Sequence, residues 1–417
     1  MPILPIAGKQ YTVVEGDSLS NISARVYGDY SLWPRIYSAN QTTLKSSDPN
    51  LIYPGEVLNI PVLPDIEALK GQNIVGKNKD DLTIVVDGYD IKYESARALI
   101  TLDTIGDACN AVVTWRPGAN KEIDKRLKPY SYAPVTVWIG SKKIITGYLY
   151  NTEPEMTDNG LIKNLEIFSK TIDLVDSTIK PPYERNNVRL DQIAKEYIEP
   201  LGMQALFDFK DDYVFDRVTA SATDTYASHL LKLCHQRSVL MTSTPNGDVL
   251  FTKANPGAPI GTLSEGTPMP TEWKTKYEGR NRFNAIKVNS KTPLGENVTY
   301  TSKDNAVPRT RFKTINANES QGGNIRKVAE WERSKQLAKA LTMPFPVTGW
   351  YAPNGEIFNV NKAITIISPT LDIPKGATLL INKVEFISST SERNAVLSLV
   401  PKEVYTGEPL ADIWNVE

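Results

Sequence analysis

From Leu82 onward, the apolar residues of this 417-residue chain arrive mostly in short, strand-length runs that stop at turn signals. Only three stretches change to the period of a helix. That pattern constrains the fold more than any other feature. Many short β-segments separated by turns build a sandwich or barrel, and a helical interlude among them marks a separate α/β unit. Residues 82–86 end at Asp87-Gly88, and residues 111–115 end at Arg116-Pro117-Gly118. Residues 135–140 and 144–149 form a hairpin around Ser141-Lys142-Lys143, and Asp158-Asn159-Gly160 turns the chain into a strand over 161–168. The helical period appears at 188–201, with Leu190, Ile193, Ala194, Tyr197 and Ile198 on one face, and again at 225–237. A strand pair follows at 239–244 and 249–252 around Pro245-Asn246-Gly247-Asp248. Beyond it the spacing predicts a strand at 285–288, a polar stretch over 289–319 and a helix over 324–341. Strands at 363–367, 378–384 and 395–400 complete the reading.

Residues 11–61 form a unit of their own, in the order strand, helix, helix, strand. The strand Tyr11-Thr12-Val13-Val14 leads into a turn at Glu15-Gly16-Asp17-Ser18 that also offers a helix N-cap. Leu19, Ile22 and Val26 then share a helical face, and Gly28 is a candidate C-cap. Leu32, Trp33, Ile36 and Tyr37 mark a second short helix that accommodates Pro34 in its first turn, and Tyr53-Pro54-Gly55-Glu56 turns the chain into a closing strand. These residues resemble a LysM module, through Tyr-x-Val-x-x-Gly-Asp-Ser-Leu at 11–19, Ile-Tyr-x-x-Asn at 36–40 and Pro-Gly-x-x-Leu-x-Ile-Pro at 54–61. The resemblance implies a shallow groove that binds N-acetylglucosamine glycans or docks a protein. The matching contact positions are Gly16, Asp17 and Ser18 on one side and Leu51, Ile52 and Tyr53 on the other.

Composition excludes several classes. Lys and Arg total 47 against 48 Asp and Glu, so no overall charge draws the chain to nucleic acid or to an anionic membrane. Two cysteines, Cys109 and Cys234, are too few for a disulfide scaffold and read as reduced core thiols. No apolar run is long enough to span a bilayer, and Met1–Ile6 lacks a signal peptide's basic region, so neither membrane insertion nor export by a leader is expected. The two histidines, His229 and His235, stand six apart, which is not a ligand spacing on a helix. There is no nucleophile elbow and no phosphate loop. Glu15 with Asp17 and Glu153 with Glu155 are the nearest carboxylate pairs, both in turns where solvated carboxylates are the ordinary outcome. Trp115, Trp138, Trp331 and Trp350 are dispersed and read as core or interface anchors rather than a sugar-stacking row. No catalytic residue, metal or cofactor is assigned.

After the linker the chain resembles the Mu-like baseplate hub family of contractile phage tails. Nine segments agree in order, among them TWRPG at 114–118, VTVWIGSKKIITGYL at 135–149, RLDQIAKEYIEPLGM at 189–203, EGRNRFNAIKV at 278–288 and VTGWYAPNGEIFNVN at 347–361. The fold class expected is α+β and mainly β: a small βααβ LysM module over 8–62, a linker over 63–80, and two β-barrel hub domains with an α/β domain between them. The barrels fall at 81–178 and 263–406, the second with a helical insertion. The α/β domain falls at 179–262, and a tail runs over 407–417. The resemblance implies a non-enzymatic homotrimer whose six barrels form a pseudo-hexameric ring joining the tail tube to the central spike. It also implies other baseplate proteins as neighbours, peptidoglycan as a second possible LysM partner, DNA only as passing cargo, and assembly in the host cytoplasm. A tail-associated peptidoglycan hydrolase targeted by the LysM module is the alternative.

Overall fold

The computed structural model describes residues 9–14, 16–27, 33–40, 43–46, 51–61, 81–118, 120–158, 160–267, 272–291, 295–316 and 325–406. The chain divides into two compact units, one up to Gly76 and the other from Lys77. The expected linker over 63–80, the tail over 407–417, and Gly28 and Leu32 lie outside the described residues.

The first unit is built from β1 (Gln10–Thr12), α1 (Leu19–Tyr27), α2 (Trp33–Asn40) and β2 (Val57–Asn59). β1 and β2 pair antiparallel, with Tyr11 opposite Leu58. Tyr11, Val13, Leu19, Ile22, Ile36, Leu58 and Ile60 fill a small core. Such a core leaves little margin, and one polar side chain ties its elements together. Asn40 is buried at the end of α2. Its amide donates to the carbonyls of Ile36 at 2.7 Å and Asn59 at 2.8 Å, and its oxygen accepts the Asn59 amide at 2.7 Å.

In the second unit, β3 (Leu82–Val86), β4 (Tyr89–Ile91), β5 (Ser95–Thr101) and β6 (Ala108–Thr114) precede the short α3 (Lys121–Arg126). Then come β7 (Pro134–Ile139), β8 (Lys142–Thr157), β9 (Gly160–Ser169) and α4 (Ile172–Asp176). The α/β part follows: β10 (Glu184–Arg189), α5 (Leu190–Ile198), β11 (Ala205–Phe207), β12 (Val214–Thr219), α6 (Tyr226–Arg237), β13 (Leu240–Ser243) and β14 (Val249–Thr252). β10 pairs with β12, and β14 lies between β11 and β13. The inward residues predicted for α5, Leu190, Ile193, Ala194, Tyr197 and Ile198, meet Leu230, Leu233 and Cys234 of α6 in one core.

The remainder holds β15 (Thr262–Ser264), β16 (Lys276–Tyr277), β17 (Ala285–Lys291), β18 (Asn297–Lys303), β19 (Phe312–Asn316), α7 (Ile325–Ala340), β20 (Leu341–Thr348), β21 (Ala363–Ser368), β22 (Ile373–Ser389), β23 (Arg393–Val400) and α8 (Glu403–Thr406). β17, β18 and β19 form a separate sheet, and Val328 and Ala329 of α7 pack on its Val288.

The expectation of two closed barrels needs correction. The other strands form one open, 13-stranded sheet whose main path runs β16-β20-β23-β22-β5-β6-β9-β8-β7-β3-β4, with β21 and β15 branching from β22. The cause is the length of β22. Its first part pairs with β21 as far as Leu380 opposite Ala363. A register shift against β23 then falls between Ile381 and Lys383. Past that bulge the same edge leaves β21 and pairs with β5, from Lys383 opposite Thr101 to Ser389 opposite Ser95. A bulge bends a strand and re-aims its edge, so one strand serves both halves and neither closes on itself. The two halves still share a topology. β5-β6-β9-β8-β7-β3 in one corresponds to β16-β20-β23-β22-β21-β15 in the other, except that β3 joins antiparallel and β15 parallel. Both halves contribute to one hydrophobic core.

Candidate functional site

In the N-terminal unit the two predicted contact segments lie side by side. The Val13 amide donates to the Glu56 carbonyl at 2.8 Å, and the Gly55 amide returns to the Val13 carbonyl at 2.8 Å. Gly16 has φ +86, a left-handed turn that any side chain would strain. Asp17 is anchored from three sides: its carboxylate accepts the Tyr11 hydroxyl at 2.7 Å and the Val14 amide at 3.0 Å, and it pairs with Arg25. Burial works against its charge, but the Val14 amide, the Tyr11 hydroxyl and Arg25 overcome it and hold the carboxyl below its usual range. The Ser18 hydroxyl accepts the Asn21 amide at 3.2 Å and caps α1. Across from them Leu51 and Tyr53 are exposed, while Ile52 packs against the core. Gly16, Asp17 and Ser18 therefore hold the turn, and Leu51 and Tyr53 carry the free apolar surface. Sequence reading missed Glu56. Its buried carboxylate accepts the amides of Lys45 at 2.8 Å and Tyr53 at 2.7 Å and so fixes the second loop. An acid two residues after Pro54 in a Pro-Gly turn was the available signal.

The joint between the halves of the large sheet is the other constructed site. Beside the β22–β5 ladder, Arg97 and Glu385 pair at 3.2 Å. The Tyr93 hydroxyl donates to the Leu82 carbonyl at 2.8 Å and lies 3.0 Å from the Ser388 hydroxyl. Arg393 reaches Asp81 at 3.0 Å. Nothing in the sequence pointed to Arg97 or Glu385, because their partnership depends on strand order.

The other polar candidates are structural. His229 is buried, its Nδ1 lies 3.1 Å from the Tyr197 hydroxyl, and burial pushes its pKa down to about 4. His235 stacks on Trp331 with ring centroids 4.4 Å apart, and burial likewise lowers its pKa to about 4. Cys109 and Cys234 are free and buried. Glu15 lies outside the described residues, so its pairing with Asp17 is not described. Glu153 and Glu155 are exposed on the β8–β9 hairpin. Trp350 and Trp331 are core residues, whereas Trp115 is half-buried, donating to Asp124 at 2.9 Å. Trp138 is half-buried too, its indole 2.9 Å from the Thr136 hydroxyl. Among the described residues no group of three or more His, Cys, Asp or Glu could hold a metal ion. Among them, too, no helix is long and apolar enough to cross a membrane.

Three separate stretches of the chain match known protein families. Residues 11–61 match the LysM domain, 171–253 the second domain of gp44-like baseplate hub proteins, and 322–408 the fourth domain of the Mu phage baseplate assembly protein GpP. Baseplate hub protein gp44 of Escherichia phage Mu is 24% identical over 289 residues, which span 64% of this chain and 75% of that protein. Over 55 residues, 13% of this chain and 36% of the relative, the chain is 53% identical to the potassium binding protein Kbp of Escherichia coli. The 43 kDa tail protein of prophage MuSo2 from Shewanella oneidensis shares the fold, with a TM-score of 0.69 and 24% identity over 78% of this chain and 99% of that one.

Proposed function

We propose, from the premise that the chain is a Mu-like baseplate hub protein with an N-terminal LysM module, that it works as a structural ring subunit of a phage tail baseplate. Three copies close into a ring that joins the tail tube to the central spike and touches other baseplate proteins, with DNA only passing through. The particle side of this reading is the virion tail, and the subunits assemble in the host cytoplasm. One observation carries it: a single chain holds two halves of the same strand topology, fused through the shared strand β22. Three such chains offer six equivalent positions, which suits a ring set between a sixfold tube and a threefold spike. The role is mechanical and needs no catalytic residue. The divisions at 81–178, 179–262 and 263–406 are its working parts, first half, α/β insert and second half.

The LysM module docks a baseplate neighbour through Leu51 and Tyr53, with Ile52 behind them and Gly16, Asp17 and Ser18 setting the facing turn. Light scattering of the full chain tests the ring: a mass three times that of one chain is expected, and a monomer persisting at high concentration overturns it. Pull-down on purified sacculi tests the module. Retention of the full chain but not of residues 77–417 would reassign it to glycan binding.

A further inference from the structure

We propose that the outer edge of β8 beyond its bulge, residues 151–157, receives the 272–278 segment of a second copy of this chain as an added antiparallel strand. The joint made within each chain by β22 and β5 is thereby repeated between chains. This rests on the ring reading above and names the surfaces that close it.

The argument follows the registers. β8 slips against β9 between Leu149 and Asn151, and β22 slips against β23 between Ile381 and Lys383. Before its bulge each strand pairs with an equivalent neighbour, β8 with β7 as far as Tyr148 opposite Pro134, and β22 with β21 as far as Leu380 opposite Ala363. After the bulge, β22 takes β5. The matching edge of β8 pairs with no described strand. β5 lies beside β6, and its counterpart β16 lies beside β20 and ends the sheet. Both sides of the joint are thus present in each chain, and each has one unused copy.

The register transfers residue by residue. Ile167 pairs with Cys109, and Leu399 pairs with Met343, so Cys109 corresponds to Met343 and Ala108 to Thr342. Leu99 opposite Ala108 then corresponds to Lys276 opposite Thr342. Carrying the β22–β5 pairing across sets Glu153 opposite Lys276 and Glu155 opposite Lys274. Opposite charges meet at both rungs. The ion pair Arg97–Glu385 of the internal joint falls on Lys274 and Glu153 of the proposed one.

The prolines fit as well. Pro344 and Pro346 give 272–275 no N–H to pair with, so that segment is held by the Trp273 indole donating to the Pro346 carbonyl at 2.9 Å and by the two rungs of β16, and no described strand pairs with its other edge. Pro154 sits inside the β8–β9 ladder, so its missing N–H faces the outer edge and the proposed joint forgoes one ladder bond at that rung. That proline and the exposed Glu153 and Glu155 keep the edge from random pairing in the free subunit.

Two experiments on the full chain test this. Glu155→Cys with Lys274→Cys, oxidised, is expected to give a covalent trimer on a non-reducing gel, because opposed strand residues lie within disulfide reach. Reversing one side, Glu153→Lys with Glu155→Lys or Lys274→Glu with Lys276→Glu, is expected to weaken trimer association at least about tenfold, since three joints sum, and reversing all four charges together to restore it to within about threefold. A trimer by scattering that neither cross-links at this pair nor responds to the reversals overturns the joint and leaves the ring standing. A persistent monomer overturns both.

Discussion

Asp107 is a carboxylic acid with little access to water. It is 4% exposed, its Oδ1 accepts the Thr101 amide at 3.0 Å, and burial pushes its pKa up to about 8 against those bonds. Unfolded, such a group titrates near ~3.9. The native state therefore holds the proton more tightly. Its contribution is intact below about pH 4 and is lost as pH rises towards about 8, at a cost on the order of a few kcal/mol. Asp107→Asn keeps the acceptor and removes the ionisation, so the fall in urea-unfolding free energy between pH 5 and pH 9 should shrink by about 2 kcal/mol or more. An unchanged slope would mean that the carboxyl is charged in the native state. His229 and His235 act at the other end: their folded pKa values near 4 lie below the ordinary value, so their contribution is lost as pH falls from about 6.5 to about 4. At Asp17, substitution by alanine releases the Val14 amide, the Tyr11 hydroxyl and Arg25 together. Hydrogen exchange of the amides in 10–60 should show the N-terminal unit destabilised by about 2 kcal/mol.

At the scale of elements, β8 and β22 carry the architecture, and each needs room on both sides. Gly147 shows how little there is: a Cβ there would stand 1.8 Å from the Phe168 carbonyl oxygen on β9. Backbone cannot yield by that much without breaking the ladder, so Gly147→Ala should cost about 3 kcal/mol or more in urea unfolding or leave the chain insoluble. A loss under about 1 kcal/mol would show that the β8–β9 ladder can shift. The strands that sequence reading passed over share a cause. β18 and β19 are polar on alternate positions because one face meets α7 and the other meets water, and 289–319 therefore read as loop. β20 holds Pro344 and Pro346, which argue against a strand unless both face an edge, as they do here. β5 alternates alanines with Arg97 and Leu99, too weak a pattern to stand out, although it pairs with both β6 and β22.

For the whole molecule, among the described residues the core of the N-terminal unit is made of residues between Tyr11 and Ile60. Removing residues 1–76 should leave the remaining chain's Tm within about 2 °C of its value in the full chain, and its trimer mass intact. A large drop would show that the module stabilises the body.

Much of this was legible in the residues alone. The LysM order, the helices of the α/β part and the mainly-β class follow from local signals, apolar period, caps and turns, which depend on a few neighbouring residues. The capping role of Ser18 could be read in the same way, and so could the free thiols. The strand order could not. Whether two β-segments pair depends on residues hundreds of positions apart, and the shift of β22 from β21 to β5 turns on one bulged residue, Asn382, that no periodicity marks. Period can say that a strand has a buried face, but only the folded chain decides which strand lies beside it. One open sheet, rather than two closed barrels, was for that reason a decision of the tertiary structure.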